Sequence, residues 1–208
     1  MGYKDLIPFV SSDDLAAFLG VAVNASDLKT KIALDAACDA VRSYLGQDIN
    51  LVEDDVEWHS GHGYLHDRIR LRQRPIVEVT EVREDVVAGS TGTVLDPANY
   101  NVRDSFIVRI DASYWLSGND NIKVTYDHGW VVPPVSATAS VPADVRLVAL
   151  SAARRVYSGV GVTDAAGFGG ERIGDYEYTN PKGTATSAAE LLMAEMDVLD
   201  RYRIGLVP

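Results

Sequence analysis

Apolar residues along this 208-residue chain recur with two different periods, and the change from one to the other divides it. Ser11-Ser-Asp-Asp14 precedes Leu15-Ala-Ala-Phe-Leu19, with Ser11 and Asp14 in capping-box spacing and Gly20 as a stop, which predicts a short helix. A second helix is predicted from an N-cap at Ser26. Leu28, Ile32, Ala36, Ala40 and Tyr44 recur at four-residue steps beside Ala33, Ala37, Val41 and Leu45, and Gly46 ends the run. An alanine-rich face admits close approach of another helix, within the chain or across a subunit boundary. Periodicity does not choose between the two.

From about Val56 to Trp130 the period becomes two: Ile69 and Leu71, Val77 and Val79, Val108 and Ile110, then Ile122, Val124 and Tyr126. Gly89-Ser-Thr-Gly92, Arg103-Asp-Ser105 and Ser117-Gly-Asn-Asp120 punctuate these runs as turns, which predicts an antiparallel meander of four to six strands. Residues 131–141, with Pro133-Pro134, read as a linker. Pro142 then opens a helix whose stripe is Val145, Val148, Ala149, Ala152, Val156 and Tyr157, closed by Gly159. A last helix is predicted from Ser187 and Glu190 in capping-box spacing, with Leu192, Met196, Leu199 and Tyr202 on its inner face.

The expected fold class is therefore α+β. A small helical bundle core of three to four helices occupies 1–50 and 142–208, an antiparallel β-sheet module occupies 51–130, and an extended C-terminal arm occupies 159–186. The arm has no helical period, and a long irregular segment in a compact domain is usually functional or disordered. Ile173, Tyr176 and Tyr178 give it something to bury, and Tyr176-Glu-Tyr178 alternates as a strand does. Glu171, Arg172, Ile173, Gly174, Asp175, Tyr176, Glu177 and Tyr178 are thus the candidate docking segment, pairing with the chain's own sheet or with another chain.

A hydrophobic content of 47% supports a real core, and a formal charge of -11 opposes a sequence-independent grip on nucleic acid, which needs cations that displace counterions from phosphate. The local run Arg68 to Arg74 is read first as an exposed strand face, with phosphate contact as the alternative. The single cysteine, Cys38, has no internal partner and fits as a small buried thiol, which suits a reducing compartment. The start has no apolar signal core, Leu6 breaks the myristoylation pattern, and no window approaches a membrane span. A protein made and used in the cytosol is expected.

Candidate chemistry is sparse. His59, His62, His66 and Asp67 offer three imidazoles and a carboxylate to a metal, the basis for a metal-dependent hydrolase as an alternative reading. The spacing is not the i, i+4 pair of a helical zinc site, and Gly61 and Gly63 oppose a helix, so the bland reading is a polar hairpin tip with solvated histidines. There is no Gly-x-Ser-x-Gly, and the glycine-rich stretches lack the Lys-Ser/Thr of a phosphate loop. Asp13-Asp14 suits a helix start, and Arg154-Arg155 complements a helix end with an arginine free to meet an acidic neighbour. No enzyme activity and no cofactor are expected.

In order, these parts resemble the head-tail connector, or adaptor, family of long-tailed bacteriophages over nearly the whole chain. The landmarks are Asp13-Asp-Leu-Ala-Ala-Phe-Leu-Gly20 with the helix to Tyr44-Leu45-Gly46, then Arg74-Pro-Ile-Val-Glu-Val-Thr-Glu-Val82 and Asn121-Ile-Lys-Val-Thr-Tyr-Asp-His-Gly129. Val141-Pro-Ala-Asp-Val-Arg146 and Glu171-Arg-Ile-Gly-Asp-Tyr176 complete the series. The resemblance implies a structural virion protein, assembled in the host cytoplasm, whose copies form a ring, typically dodecameric, at the head-tail junction. Such a ring binds the portal protein and the stopper, head-completion or tail protein, and lets DNA pass through its channel without specific binding or any membrane. It further implies that the helices starting near Ser26 and Pro142 form the ring wall, with Ala33, Ala37, Ala40, Arg154 and Arg155 at subunit interfaces, and that the arm or last helix engages the portal. A monomeric binding module, such as another minor head or tail component, is the third reading.

Overall fold

The computed structural model describes residues 7–63, 67–86, 90–110, 114–132, 140–159, 171–173, 176–178 and 190–203. The chain divides into a helical unit, Met1–Leu45 with Pro142–Arg203, and a sheet unit, Gly46–Val141 with Ile204–Pro208. The fold is mixed α+β, with four α-helices and antiparallel sheets among the described residues.

In the helical unit, α1 (Ser12–Leu19) carries the expected cap: Asp14 N–H donates to Ser11 Oγ at 3.0 Å and Ser11 N–H donates to Asp14 Oδ2 at 3.0 Å. Gly20, with φ of 70°, closes it in the left-handed conformation that glycine adopts without steric cost. The long helices α2 (Leu28–Leu45) and α3 (Ala143–Gly159) pack on each other. Ala33, Ala37 and Val41 on α2 and Ala149, Ala152 and Ala153 on α3 are fully or nearly fully buried, small side chains that let the two backbones approach. α2 begins at Leu28 rather than at a Ser26 cap; Ser26 N–H instead donates to Asn24 Oδ1 at 3.0 Å, an Asx turn ahead of the helix. The last helix, α4 (Met193–Leu199), starts later than the Ser187-Glu190 spacing predicts. Its first turn is closed by Glu195, whose Oε2 accepts from Leu192 N–H at 2.9 Å, and Leu192 itself is exposed.

The sheet unit contains β1 (Val52–Gly61), β2 (Arg68–Arg70), β3 (Ile76–Glu84), β4 (Thr93–Val94), β5 (Tyr100–Arg103), β6 (Phe106–Arg109) and β7 (Gly118–His128). They form two antiparallel sheets, ordered β1-β7-β3-β4 and β2-β6-β5. The expected meander is therefore corrected, because β7 lies between β1 and β3 instead of at an edge. The reason is burial: Ile122, Val124 and Tyr126 of β7 are fully enclosed, whereas β1 carries exposed Glu53 and Asp54, which suit an edge. Ile69, Leu71, Val82, Tyr100, Ile107, Trp115, Ile122, Val124 and Tyr126 from both sheets form one core. Residues 131, 132, 140 and 141 belong to this unit, and Val131 and Ser140 form a bridge, so the segment beyond Trp130 is not free-standing throughout. Gly129, with φ of 94°, is required where the backbone crosses Asn50: a Cβ there would sit 2.2 Å from the Asn50 carbonyl oxygen.

The last two strands, β8 (Glu171–Ile173) and β9 (Tyr176–Tyr178), pair with one another as an antiparallel hairpin.

Candidate interaction surfaces and a buried polar network

The arm is not a single extended strand in the isolated chain. Glu171 pairs with Tyr178, Arg172 with Glu177 and Ile173 with Tyr176; Gly174 and Asp175 lie outside the described residues. Gly-Asp between two alternating runs is a hairpin signal, and it explains why the segment closes on itself. The partner question for Glu171 to Tyr178 thus concerns a hairpin, whose two outer edges remain outside its own two-stranded sheet.

The alanine stripe resolves differently from its expected role. Ala33 and Ala37 have no exposed surface, so they serve the α2–α3 contact inside the helical unit and are not available to a neighbouring subunit. Ala40 is half-buried. The apolar groups that α2 leaves uncovered are Leu28 at 71% exposure and Ile32 at 43%. The two arginines separate as well. Arg154 is exposed, while Arg155 is held by α4: its Nη1 donates to Glu195 Oε1 at 2.6 Å, and its Nη2 to Glu195 Oε2 at 2.7 Å and Glu190 O at 3.0 Å. This bidentate fork is the strong geometry for a guanidinium and a carboxylate. Further polar links fix the same unit: Arg146 Nη2 donates to Asp14 Oδ1 at 2.8 Å, and Arg42, almost fully buried, donates to Ile7 O at 2.6 Å and Asp39 Oδ1 at 2.9 Å.

Of the three histidines, His59 departs from the expected solvated tip. His59 lies within β1, half-buried, with Nε2 3.1 Å from Glu57 Oε2; His62 follows the strand and is exposed, and His66 lies outside the described residues. Asp67 Oδ1 accepts from Arg68 Nε at 3.3 Å. Among the described residues no three His, Cys, Asp or Glu side chains are grouped to hold a metal ion. Cys38 is fully buried, and burial pushes its thiol up to about 11, so it is protonated and inert at neutral pH.

A buried polar network in the sheet unit was not singled out by sequence. Glu57 is its centre: Tyr126 Oη donates to Oε1 at 2.5 Å, and Arg72 N–H donates to the two carboxylate oxygens at 3.0 and 3.2 Å. Gln73 N–H in turn donates to Tyr126 Oη at 3.3 Å, so residues 72 and 73 are pinned beneath β1 and β7. Burial pushes the Glu57 carboxyl up, but the His59 imidazole, the Tyr126 hydroxyl and the Arg72 N–H together outweigh it and hold the group below its ordinary range. Burial, then the adjacent Glu57 charge, drive the Tyr126 phenol far up, so it donates and does not ionise. His128, fully enclosed at the end of β7, is lowered by burial, only partly offset by Asp55 with its Oδ2 3.2 Å from Nε2. No nucleophile stands in this network. It locks strands together.

No protein-family model matches the chain, and no curated protein matches it. Solved structures do. A chain of the neck of a native gene transfer agent (GTA) particle, computed with C12 symmetry, aligns over 100% of this chain and 96% of its own length, at a TM-score of 0.57 and 13% identity. A chain of the neck of an empty GTA particle, computed with C6 symmetry, gives 0.57 and 14% over the same shares. A chain of the virion of the native GTA particle gives 0.56 and 13%, again over 100% and 96%. At this identity the likeness establishes a shared fold.

Proposed function

We propose that the protein is a structural, non-enzymatic virion component that forms a ring at the head-tail junction, connecting the portal to the stopper or tail and extending the DNA channel. The observation that carries this reading is the end-to-end fold likeness to chains of a GTA particle neck, in reconstructions with twelvefold and sixfold symmetry. Both units and the arm fall within the aligned length, so the likeness is not that of one common module. The ordered series of sequence landmarks points to the same junction. No helix among the described residues is long and apolar enough to cross a membrane.

In this reading the subunit repeats head to tail around a ring, a dodecamer, so two different surfaces must be complementary for the ring to close. The hairpin Glu171 to Tyr178 and α4 are the elements offered to the portal. Strand addition along a hairpin edge supplies backbone hydrogen bonds for affinity, while alternate side chains supply specificity. The deciding experiment is electron microscopy and native mass measurement of the purified chain, alone and with the cognate portal. Closed rings, alone or on the portal, are expected. A chain that stays monomeric at high concentration and in the presence of the portal overturns the reading.

A further inference from the structure

The register of the three-stranded sheet gathers positive charge on one face of an otherwise acidic chain. Arg70 pairs with Phe106 and Phe106 with Arg103; Arg68 pairs with Val108 and Val108 with Asn101. Residues directly opposite on neighbouring strands share a face. The intervening Ile69 and Ile107 turn into the core, nearly or fully buried, so this second face points away from it. Its six positions therefore carry Arg68, Arg70, Arg103 and Asn101 around half-buried Phe106 and Val108, and none is acidic.

Alternate residues on a strand stand about 6.7 Å apart and neighbouring strands about 4.8 Å, so Arg70 and Arg103 flank Phe106 at roughly 10 Å from each other. Arg72 extends the row beyond β2; its backbone is anchored on Glu57 while its side chain is exposed. Arg74 follows, and its guanidinium is lowered by burial and by the charge of Arg70, which shows positive groups accumulating here. The acids at the margin are Asp67, against Arg68, and Asp104 in the β5–β6 turn. The platform is rigid, because Asp67 O accepts from Trp115 Nε1 at 3.0 Å and from Arg109 N–H at 2.9 Å, fixing the start of β2.

We propose that this face, Arg68, Arg70, Arg72 and Arg103 around Phe106, contacts the phosphate backbone of double-stranded DNA, weakly and without reading sequence. The positive groups are all arginine, whose planar fork meets phosphate oxygens two at a time. Asn101 adds a neutral donor. Contacts to phosphate position a duplex without selecting its sequence. The net charge of -11 on the whole chain limits the grip. This goes beyond the ring reading and is tested on the chain by itself, so either can fail without the other.

The test is fluorescence anisotropy of a labelled random-sequence duplex, and of one of its single strands, with the full chain at 50 and 200 mM NaCl. Four phosphate contacts give a log-log salt slope of about -3.6, a weakening of roughly 150-fold between the two salts. Arg70→Gln with Arg103→Gln should reduce the slope to about -1.8 and the salt effect to roughly 12-fold. Arg68→Gln with Arg72→Gln, both at exposed positions, should lower binding in the same way, and Arg154→Gln on the helical unit should not. Unchanged thermal unfolding shows that the variants are folded. Absence of duplex binding at 50 mM NaCl, or binding by both double variants equal to that of the parent chain, overturns the proposal. So does binding of the single strand alone, which would assign the face to base stacking on Phe106. Loss of self-association with DNA binding intact would make it a seat for an acidic protein surface instead.

Discussion

Glu57 and His128 make the sheet unit sensitive to acid, and they do so in two steps. His128 is lowered from its ordinary 6.5, so below that pH the unfolded chain takes up a proton that the folded chain refuses, and stability falls from there toward the folded value. Glu57 is lowered from 4.5, so its contribution is present above that pH and is lost as pH falls through the folded value. Unfolding midpoints measured from pH 8 to pH 3.5 should therefore begin to drop near 6.5 and steepen below 4.5. His128→Gln should remove the first step and keep the second. Tyr126→Phe deletes a hydrogen bond to a charged, buried carboxylate and should cost about 1.5 to 3 kcal/mol by urea titration, since Glu57 then keeps only its other partners. The alternation Ile122, Val124, Tyr126 points to His128 as the next inward residue, so that part of the network was legible by extending one period. Glu57 was not, because a carboxylate opposite Val124 and diagonal to Tyr126 on the neighbouring strand has no local signature.

At the scale of elements, local chemistry was readable where it was self-contained. Ser11, Asp14 and Gly20 cap α1 through contacts within a few residues, and the stripe on α3 is nearly the buried set. It failed where the chain partner sets the phase. The register of β3 shifts between Ile76 and Glu78 and again between Val79 and Glu81, which leaves Val77 exposed and turns Val82 inward. On β6, Ile107 takes the core position and Ile110 is exposed, one residue out of the expected phase. α4 is a further case. Its seven residues are too few to hold a helix by propensity, and its position depends on the fork between Arg155 and Glu195. A double-mutant cycle with Arg155→Ala and Glu195→Ala should give a coupling of about 1 kcal/mol, the modest value expected for a partly exposed pair. Amide exchange should rise across 193–199 in both single variants and leave β7 unchanged. In α2, Ala37→Leu should destabilise by about 1 to 3 kcal/mol, because the added carbons have no room against α3.

For the whole molecule, the ring reading requires a surface that the single chain leaves unfilled, and the alanines at 33 and 37 do not provide it. Leu28 and Ile32 do: they lie one turn apart on α2, and their exposure is the reverse of what a buried apolar stripe predicts for a solitary subunit. Ala36 and Ala40 continue that row at four-residue steps, both only partly covered. Scattered apolar residues on a surface are ordinary, so the row matters through its alignment along one helix face. Ile32→Glu combined with Leu28→Glu should therefore abolish ring formation, alone or on the portal, while the subunit unfolds at the parent temperature, since neither side chain belongs to the core. The counter-variant Ala40→Gly keeps the face apolar and tests helix propensity separately; it should cost about 1 kcal/mol in stability and leave the rings intact. Mass measurement and negative-stain imaging read both. Rings that persist in the charged variant would move the subunit interface off this face of α2, and the sheet unit or the hairpin Glu171 to Tyr178 would then have to supply the contact between copies.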